Sequence, residues 1–111
     1  MQSTEQKIER AALAGLAAAS MDERERSTDI SLAELAALVE TAGGQPVVTL
    51  LQNKPTPDPR TFLGEGKVAE VQLYCENVSA TMVIFDNDLS PSQLRVLTEM
   101  TGVQVLDRSG L

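Results

Sequence analysis

The most informative segment of the chain is residues 83–95, which read Val-Ile-Phe-Asp-Asn-Asp-Leu-Ser-Pro-Ser-Gln-Leu-Arg. Residues 82–85 form an uninterrupted apolar run, which is typical of a parallel strand covered on both faces. Ser90 and Gln93 have the spacing of a capping box, and Pro91 takes the first helical position, where a missing N–H is harmless. The stretch therefore predicts a strand, an acidic loop and a helix, with polar groups at the edge where α/β domains bind ligands.

A second junction of this type lies upstream, where residues 57–67 read Pro-Asp-Pro-Arg-Thr-Phe-Leu-Gly-Glu-Gly-Lys. A Gly-x-Gly-Lys turn that opens a helix can present free backbone N–H groups and a cation to an anion. The alternative is purely structural: Gly64 and Gly66 permit backbone angles that other residues avoid, and Lys67 points into water. The residues alone leave both interpretations open.

Apolar residues at helical spacing predict three helices. Ser31 and Glu34 form a capping-box pattern at the start of the first helix, and Gly43 with Gly44 ends it. Its predicted inward residues are Leu32, Leu35, Ala36, Leu38, Val39 and Ala42. Those of the second helix, which begins near Gly64–Lys67, are Val68, Val71, Tyr74, Cys75 and Val78. Those of the third, which Gly102 ends, are Leu94, Leu97 and Met100.

The remaining segments are two strands, a loop and one ambiguous run. Val47–Leu51 and Val103–Leu106 are short apolar runs that predict strands. Met21–Asp29 is highly charged and predicts an exposed loop, with disorder left open. In Ala11–Ser20 the alanines favour a helix, but the central Gly15 and the lack of helical spacing argue against one.

Composition limits the classes of function. The chain has 111 residues, 42% of them hydrophobic and 3% aromatic, which suits one small domain with an aliphatic core. It has no apolar run of membrane-spanning length, no histidine and a single cysteine, so a membrane span, histidine-based catalysis and an intramolecular disulfide are not expected. A net charge of −7 argues against a simple nucleic-acid binder. Residues 53–67 are nevertheless slightly basic, which permits a local phosphate contact.

These segments together resemble the HflX family of ribosome-associated GTPases. Residues 60–70 are similar to the family's T-Y/F-I/L-G-x-G-K-V/A-x-E segment, and residues 83–95 to its strand-D-D/N-D/E-L-S/T-P-x-Q-x-R segment. Residues 105–111 resemble its V-x-D-R-S/T-x-L stretch, and residues 35–43 its E-L/A-x-x-L-x-x-T-A-G helix. The similarity runs from about Ser31 to the last residue and covers only the N-terminal domain of that family.

The resemblance implies that Ala11–Ala18 is the first strand, so that the element order becomes βαβαβαβ. Right-handed crossovers then predict a single α/β domain, with a four-stranded parallel sheet of order 2-1-3-4 and helices on both faces. Residues 1–10 are expected to form a polar tail and residues 11–111 the domain. The switch point is expected between the first and third strands, beside the loops Ala19–Ile30 and Asp86–Ser90.

The resemblance also implies a function, which the missing motifs limit. A GTPase needs a Gly-x-x-x-x-Gly-Lys-Ser/Thr loop, which the chain lacks, and residues 53–56 lack the acid of a guanine-reading motif. GTP and Mg²⁺ are therefore expected only in a G domain after Leu111. The implied role is a cytoplasmic regulatory and ribosome-docking domain that is not itself a GTPase or another enzyme. Its expected partners are the large ribosomal subunit and the protein's own G domain.

Two other functions are left open. Some N-terminal domains of this family are associated with adenine nucleotides, so the chain could be an independent ATP-binding module with weak ATPase activity. The absence of a good general base or Mg²⁺ site argues against this. A flavodoxin-like small-ligand or signalling domain is the other alternative, but no phosphate loop follows the first strand. No small-molecule substrate and no cofactor are predicted for the chain itself.

The candidate residues fall into two groups. The candidates for nucleotide or RNA phosphate are Arg60, Gly64, Gly66 and Lys67, and those at the loop edge are Asp86, Asn87 and Asp88. Asp86 and Asp88 suit Mg²⁺ or a ribose hydroxyl, but solvation near a helix N-terminus is the favoured explanation. Asp107 and Arg108 are expected either to pair locally or to receive the next domain. Cys75 is expected to be an inert core thiol, and no catalytic residue or metal ligand is predicted.

Overall fold

The computed structural model describes residues 8–110, so most of the expected tail and the last residue lie outside it. The strands are β1 (Arg10–Ala18), β2 (Gln45–Lys54), β3 (Met82–Phe85) and β4 (Gln104–Leu106), and the helices are α1 (Asp29–Thr41), α2 (Glu65–Asn77) and α3 (Pro91–Thr101). The strands form one four-stranded parallel sheet of order β2-β1-β3-β4, which confirms the predicted fold and strand order. Among the described residues, no helix is long and apolar enough to cross a membrane.

β1 lies at the centre of the sheet and explains why this alanine-rich run is a strand. Its backbone pairs with β2 on one side and β3 on the other, and most of its side chains are buried. Small side chains let the covering layers approach closely. At Gly15 a Cβ atom would lie 2.5 Å from both Cβ and Oγ of Ser27, so this position must be glycine.

The helices cover both faces of the sheet, as predicted, but unequally. α1 packs on one face, where the core comprises Ala11, Leu13, Leu32, Leu35, Val39, Met82 and Ile84. α2 and α3 pack on the other face and share a larger core with β1, β2 and β3. The sheet therefore has a two-helix face and a one-helix face.

The start of α1 differs from the prediction. The N-cap is Thr28, whose Oγ1 accepts a hydrogen bond from the Ser31 backbone N–H at 2.9 Å. Ser31 Oγ accepts in return from the Thr28 N–H at 2.8 Å, so Ser31 completes the capping box instead of starting it with Glu34. The prediction was wrong because a serine hydroxyl serves at either end of a capping box.

The charged loop before α1 is ordered, and part of it is buried. Glu23–Glu25 form a short 3₁₀ helix, and Ser27 is only 1% exposed. The Ser27 backbone N–H bonds to the Leu16 carbonyl at 3.0 Å. The prediction of an exposed loop was therefore wrong at Ser27, because β1 binds this residue directly, whereas Asp22–Glu25, Thr28 and Asp29 are exposed as predicted.

Several predicted inward residues point outward. Leu38 of α1 is 61% exposed and Tyr74 of α2 is 37% exposed. Each lies three residues from a buried neighbour, about 60° around a helix, just beyond the stripe that meets the sheet. Ala42 is also exposed, whereas Cys75 is buried in the core. Burial, with a smaller contribution from the Glu76 charge, raises the pKa of the Cys75 thiol, which suits an inert core residue.

The third helix follows the sequence closely. Ser90 Oγ accepts from the Gln93 backbone N–H at 3.1 Å, and Gln93 Oε1 accepts from the Ser90 N–H at 2.9 Å. Pro91 is the first helical residue, and Gly102 ends the helix with a left-handed φ of 74°. The predicted capping box, proline position and glycine stop are all confirmed.

Candidate functional site

Both sequence junctions lie at the carboxyl edge of the sheet. In a parallel sheet every strand ends at the same edge, and here each following helix begins there. The two junctions also touch, because Gln93 Nε2 donates to the carbonyls of Asp58 and Pro59 at 3.3 Å. The structure therefore brings the two groups of predicted residues to one side of the domain.

Asp86, directly after β3, is buried and paired. Its carboxylate accepts from Ser31 Oγ at 2.5 Å and forms an ion pair with Arg108 Nη2 at 3.0 Å. The Asp86 side chain is 5% exposed, so solvation does not explain it. Of the two alternatives left open for Asp107 and Arg108, the local pair is not formed, since Arg108 pairs with Asp86. These contacts join the start of α1 and the end of β4 to β3.

Asn87 is 2% exposed and connects the β3–α3 loop to β1. Its Oδ1 accepts from the Leu16 backbone N–H at 2.9 Å and from Ser27 Oγ at 3.2 Å. Its Nδ2 donates to the carbonyls of Leu16 at 3.1 Å and Glu25 at 2.9 Å. These bonds use both donors and both ordinary acceptor sites of the amide, so none remains for a ligand.

Asp88 and Asp107 bind the turn that follows β4. Asp88 is exposed and accepts from Ser109 Oγ at 2.7 Å. Asp107 is 6% exposed and accepts from the backbone N–H groups of Leu89 at 2.9 Å and Gly110 at 3.0 Å. The last described turn of the chain is thereby fastened to the β3–α3 loop.

We call residues 86–88 the β3–α3 clasp, because their polar atoms bond to neighbouring parts of the domain. Within residues 8–110, no three His, Cys, Asp or Glu side chains are grouped as a metal site would require. The bonds of the clasp join β1, the start of α1, the loop before α1 and the turn after β4 to the β3–α3 loop.

The α2 junction begins with a well-defined tip at residues 58–62. The backbone groups of Asp58 and Phe62 bond to each other at 2.9 and 3.0 Å. Asp58 Oδ1 accepts from the N–H groups of Arg60 at 2.8 Å and Thr61 at 3.0 Å. The hydrogen bond from the Thr61 N–H, and to a smaller extent the bond from the Arg60 N–H, lowers the pKa of Asp58 below its ordinary value, because both bonds favour the carboxylate.

Arg60 lies exposed in the middle of this tip. Within residues 8–110 its guanidinium forms no ion pair. The tip itself is anchored by Phe62, which is 5% exposed and packs edge-to-face on Phe85 with ring centroids 6.1 Å apart. Phe62 has a φ of 66°, a strained value for a bulky residue, which this packing maintains.

The two glycines of the junction do not adopt the backbone angles that only glycine tolerates. Gly64 has a φ of −64°, and Gly66 is not among the positive-φ glycines, so this structural explanation was wrong. A Cβ at Gly64 would lie 3.2 Å from Gln52 Nε2 and 3.4 Å from Lys54 Nζ. A Cβ at Gly66 would meet nothing within 4 Å. The first turn of α2 is therefore open, and it has no side-chain cap.

The two lysines of this region, Lys54 and Lys67, differ in whether their charge is paired. Lys67 does not point freely into water, because its Nζ lies 3.1 Å from Glu70 Oε2. Such a half-exposed pair is weak, but it offsets the charge of Lys67. Lys54 Nζ lies beside Gly64 and forms no ion pair within residues 8–110. Lys54 is thus the better-placed cation at the start of α2.

An open cleft of about 480 Å³ lies between the ends of β1 and β2. Lys54 and Arg26 both line it. The Arg26 guanidinium donates to the carbonyls of Ala18 at 3.0 Å and Ala19 at 2.9 Å, which keeps its charge at the sheet edge. Sequence reasoning missed Arg26, because one arginine in a charged loop carries no distinguishing signal.

Comparison with known proteins gives consistent matches. The family model described as GTP-binding GTPase N-terminal matches residues 29–111. The chain is 39% identical over 80 residues to the GTPase HflX of Flavobacterium psychrophilum, covering 72% of this chain and 19% of that protein. It is 36% identical over 80 residues to the Escherichia coli GTPase HflX, with coverages of 72% and 19%. For the protein of that name from Caldanaerobacter subterraneus the identity is 32% over 103 residues, with coverages of 93% and 23%. The chain therefore spans about a fifth of the length of these relatives.

Proposed function

We propose that this chain, which belongs to the family of HflX GTPase N-terminal domains, is the ribosome-docking and regulatory domain of a longer cytoplasmic GTP-binding protein. The chain has no Gly-x-x-x-x-Gly-Lys-Ser/Thr loop. GTP, Mg²⁺ and hydrolysis therefore belong to a separate G domain of that protein, and the chain alone does not turn over GTP. The large ribosomal subunit and the G domain are its partners.

The observation that best supports ribosome docking is the exposed guanidinium of Arg60, which lies on a tip held by its own hydrogen bonds. Because the tip is already ordered, binding costs little conformational entropy there. Lys54, at the open start of α2, adds a second cation on the same edge. The domain as a whole carries −7, so attraction to RNA phosphates depends on this local cluster and should weaken as salt rises.

Adenine-nucleotide binding is the second candidate, and the start of α2 favours it. α1 and α3 both have capping boxes, whereas α2 has no side-chain cap and Gly66 leaves its first turn open. Backbone N–H groups at such a turn can bind a phosphate. The chain has no Gly-x-x-x-x-Gly-Lys-Ser/Thr loop to hold Mg²⁺ and the phosphates for hydrolysis, so we expect nucleotide binding without turnover.

Cosedimentation of the full-length protein with purified large ribosomal subunits tests docking. Arg60→Ala and Lys54→Ala should each weaken binding about 3- to 10-fold, as expected for lost phosphate contacts. Lys67→Ala should have a smaller effect, because Glu70 already offsets its charge. Arg95→Ala is the control, since Arg95 is an exposed cation on α3 and lies outside the basic segment of residues 53–67. Binding that is insensitive to both Arg60 and Lys54 would refute this docking surface.

Calorimetry of the 111-residue chain with ATP and GTP separates the two candidates. Ribosome binding without ATP binding supports docking alone, whereas ATP binding lost in Gly66→Val supports the nucleotide site. GTP turnover by the purified chain, surviving repurification, would contradict the assignment of hydrolysis to another domain.

A further inference from the structure

The tip at residues 58–62 is closed by its own hydrogen bonds, but these bonds do not fix its direction relative to the sheet. The backbone bonds between Asp58 and Phe62 and the bonds to Asp58 Oδ1 all lie within the tip. Within residues 8–110, the hydrogen bonds that join residues 58–62 to a helix or strand come from Gln93. The orientation of the tip therefore depends on Gln93 and on the packing of Phe62 against Phe85.

These two anchors hold different ends of the tip. Phe62 holds the end that leads into α2, where its ring packs edge-to-face on β3. Gln93 holds the entering end, because its Nε2 donates to the carbonyls of Asp58 and Pro59, both at 3.3 Å. Arg60 lies between the two anchors. Loss of the bonds from Gln93 would leave the entering end, and Arg60 with it, able to rotate about Phe62.

The amide of Gln93 serves both α3 and the tip. Its Oε1 accepts from the Ser90 N–H at 2.9 Å and completes the capping box. The amide nitrogen then lies on the side of the tip, where two carbonyl oxygens accept its hydrogens. A capping box takes glutamate as well as glutamine, but an ionised glutamate has no hydrogen to donate. Capping therefore explains the oxygen of the Gln93 amide and leaves its nitrogen for a second role.

We propose that Gln93 is a positioning residue, which fixes the direction in which the tip presents Arg60 to its partner. The proposal rests on the proposed function, because it takes an RNA phosphate as that partner. A guanidinium binds phosphate through a planar fork of N–H groups, so its affinity depends on direction as well as on charge. A tip that is held at both ends offers this geometry before binding.

Gln93→Glu separates the two uses of this side chain. Glutamate still accepts from the Ser90 N–H, so α3 keeps its cap, but its carboxylate repels the Asp58 and Pro59 carbonyls. In the 111-residue chain, the Phe62 amide, which bonds to the Asp58 carbonyl at 2.9 Å, should exchange its hydrogen at least about fivefold faster. The amide of Leu97, in the interior of α3, should change its exchange rate by less than about twofold.

Cosedimentation of the full-length protein with purified large ribosomal subunits tests the link to Arg60. Gln93→Glu should weaken binding about 3- to 10-fold in the unmodified protein, but by less than about twofold in an Arg60→Ala background, because Gln93 acts through Arg60. Ser92→Glu is the matched control for the added charge, since Ser92 is the exposed neighbour of Gln93 on α3. It should weaken binding by less than about twofold.

The results that contradict this proposal differ from those that contradict docking. Unchanged exchange of the Phe62 amide in Gln93→Glu would overturn the proposal without reference to the ribosome. An equal loss of binding in Ser92→Glu, or an undiminished loss in the Arg60→Ala background, would also overturn it. Faster exchange at Phe62, together with binding that is insensitive to Arg60→Ala and Lys54→Ala, would leave the support of the tip by Gln93 standing and refute the docking surface.

Discussion

The two junctions that look alike in the sequence are opposite in the structure. At the β3–α3 junction the polar side chains face inward, and Asp86 and Asn87 are 4% and 2% exposed. At the α2 junction Arg60 and the first turn of the helix face outward, without a side-chain cap. A strand, a polar loop and a helix start therefore predict where an edge lies, but they do not predict which loop is available to a partner.

The difference lies in what each loop must hold. The β3–α3 loop follows a central strand and touches β1, the loop before α1 and the turn after β4. The α2 junction follows the edge strand β2 and has fewer neighbours to connect. If the first region is structural and the second functional, mutations in them should separate stability from binding.

The largest effect is expected at Asn87. Asn87→Ala removes hydrogen bonds to Leu16, Ser27 and Glu25 and leaves the buried Leu16 N–H without its partner. A loss of about 3 kcal/mol in the free energy of unfolding is expected, because unpaired buried groups retain their desolvation cost. Urea denaturation measures it. Asp88→Ala, which removes one exposed bond to Ser109, is the control and should cost under about 0.5 kcal/mol.

Equal urea midpoints for Asn87→Ala and the unmodified chain would show that the clasp is not structural. The same outcome would return Asn87 to the set of residues that a ligand could bind.

The helix caps provide the next comparison. Ser90→Ala should lower the free energy of unfolding by about 1 kcal/mol, since it removes the bond to the Gln93 N–H. Gly64→Ala, at the N-cap of α2, removes no capping bond, but Gln52, whose Oε1 accepts from the Gly64 N–H at 2.9 Å, must shift by a few tenths of an ångström. Its urea midpoint should therefore move less than that of Ser90→Ala. A larger loss for Gly64→Ala would mean that this close contact carries more stability than a cap.

The α3 cap and the glycine stop could be predicted because their signals are local, whereas the order of the sheet followed from the order of the elements and the right-handed crossover rule. Periodicity, capping boxes and punctuating residues act over a few neighbouring positions. The family resemblance supplied the first strand, which composition alone left ambiguous, and the match over residues 29–111 confirms that family.

What the sequence could not predict depends on distant residues. The Asn87–Leu16 bonds join residues 71 positions apart, and the Asp86–Ser31 bond spans 55. The outward positions of Leu38 and Tyr74 follow from how much of each helix the sheet covers. The Lys67–Glu70 pair is an exception, because its residues are only three positions apart, but spacing alone does not decide between this pair and solvation.

Asp58 tests whether the tip is as ordered as the clasp. Asp58→Ala removes two bonds from backbone N–H groups and should lower the free energy of unfolding by under about 1 kcal/mol. The pKa of Asp58 is lowered in the folded chain, so its contribution is complete above the ordinary value of 3.8 and is lost as the pH falls through the folded pKa. Amide shifts of Arg60 and Thr61 should therefore change only below that value. A midpoint above 3.8, or the same titration in Asp58→Asn, would contradict these bonds.

Gly66→Ala should change the stability least, and it best separates a role of this glycine in folding from a role in binding a partner. Gly66 lies in the first turn of α2 with ordinary backbone angles and open space around its Cα, so the fold has no need of glycine there. Gly66→Ala should raise the free energy of unfolding by about 0.5 kcal/mol, because alanine restricts the unfolded chain and favours helix. Gly102→Ala is the control of opposite sign, since its φ of 74° strains any side chain. If Gly66→Ala is more stable yet binds ribosomal subunits or ATP less well, then the glycine serves close approach of a partner. If binding is unchanged, the open turn has no such role and contact rests on Arg60 and Lys54.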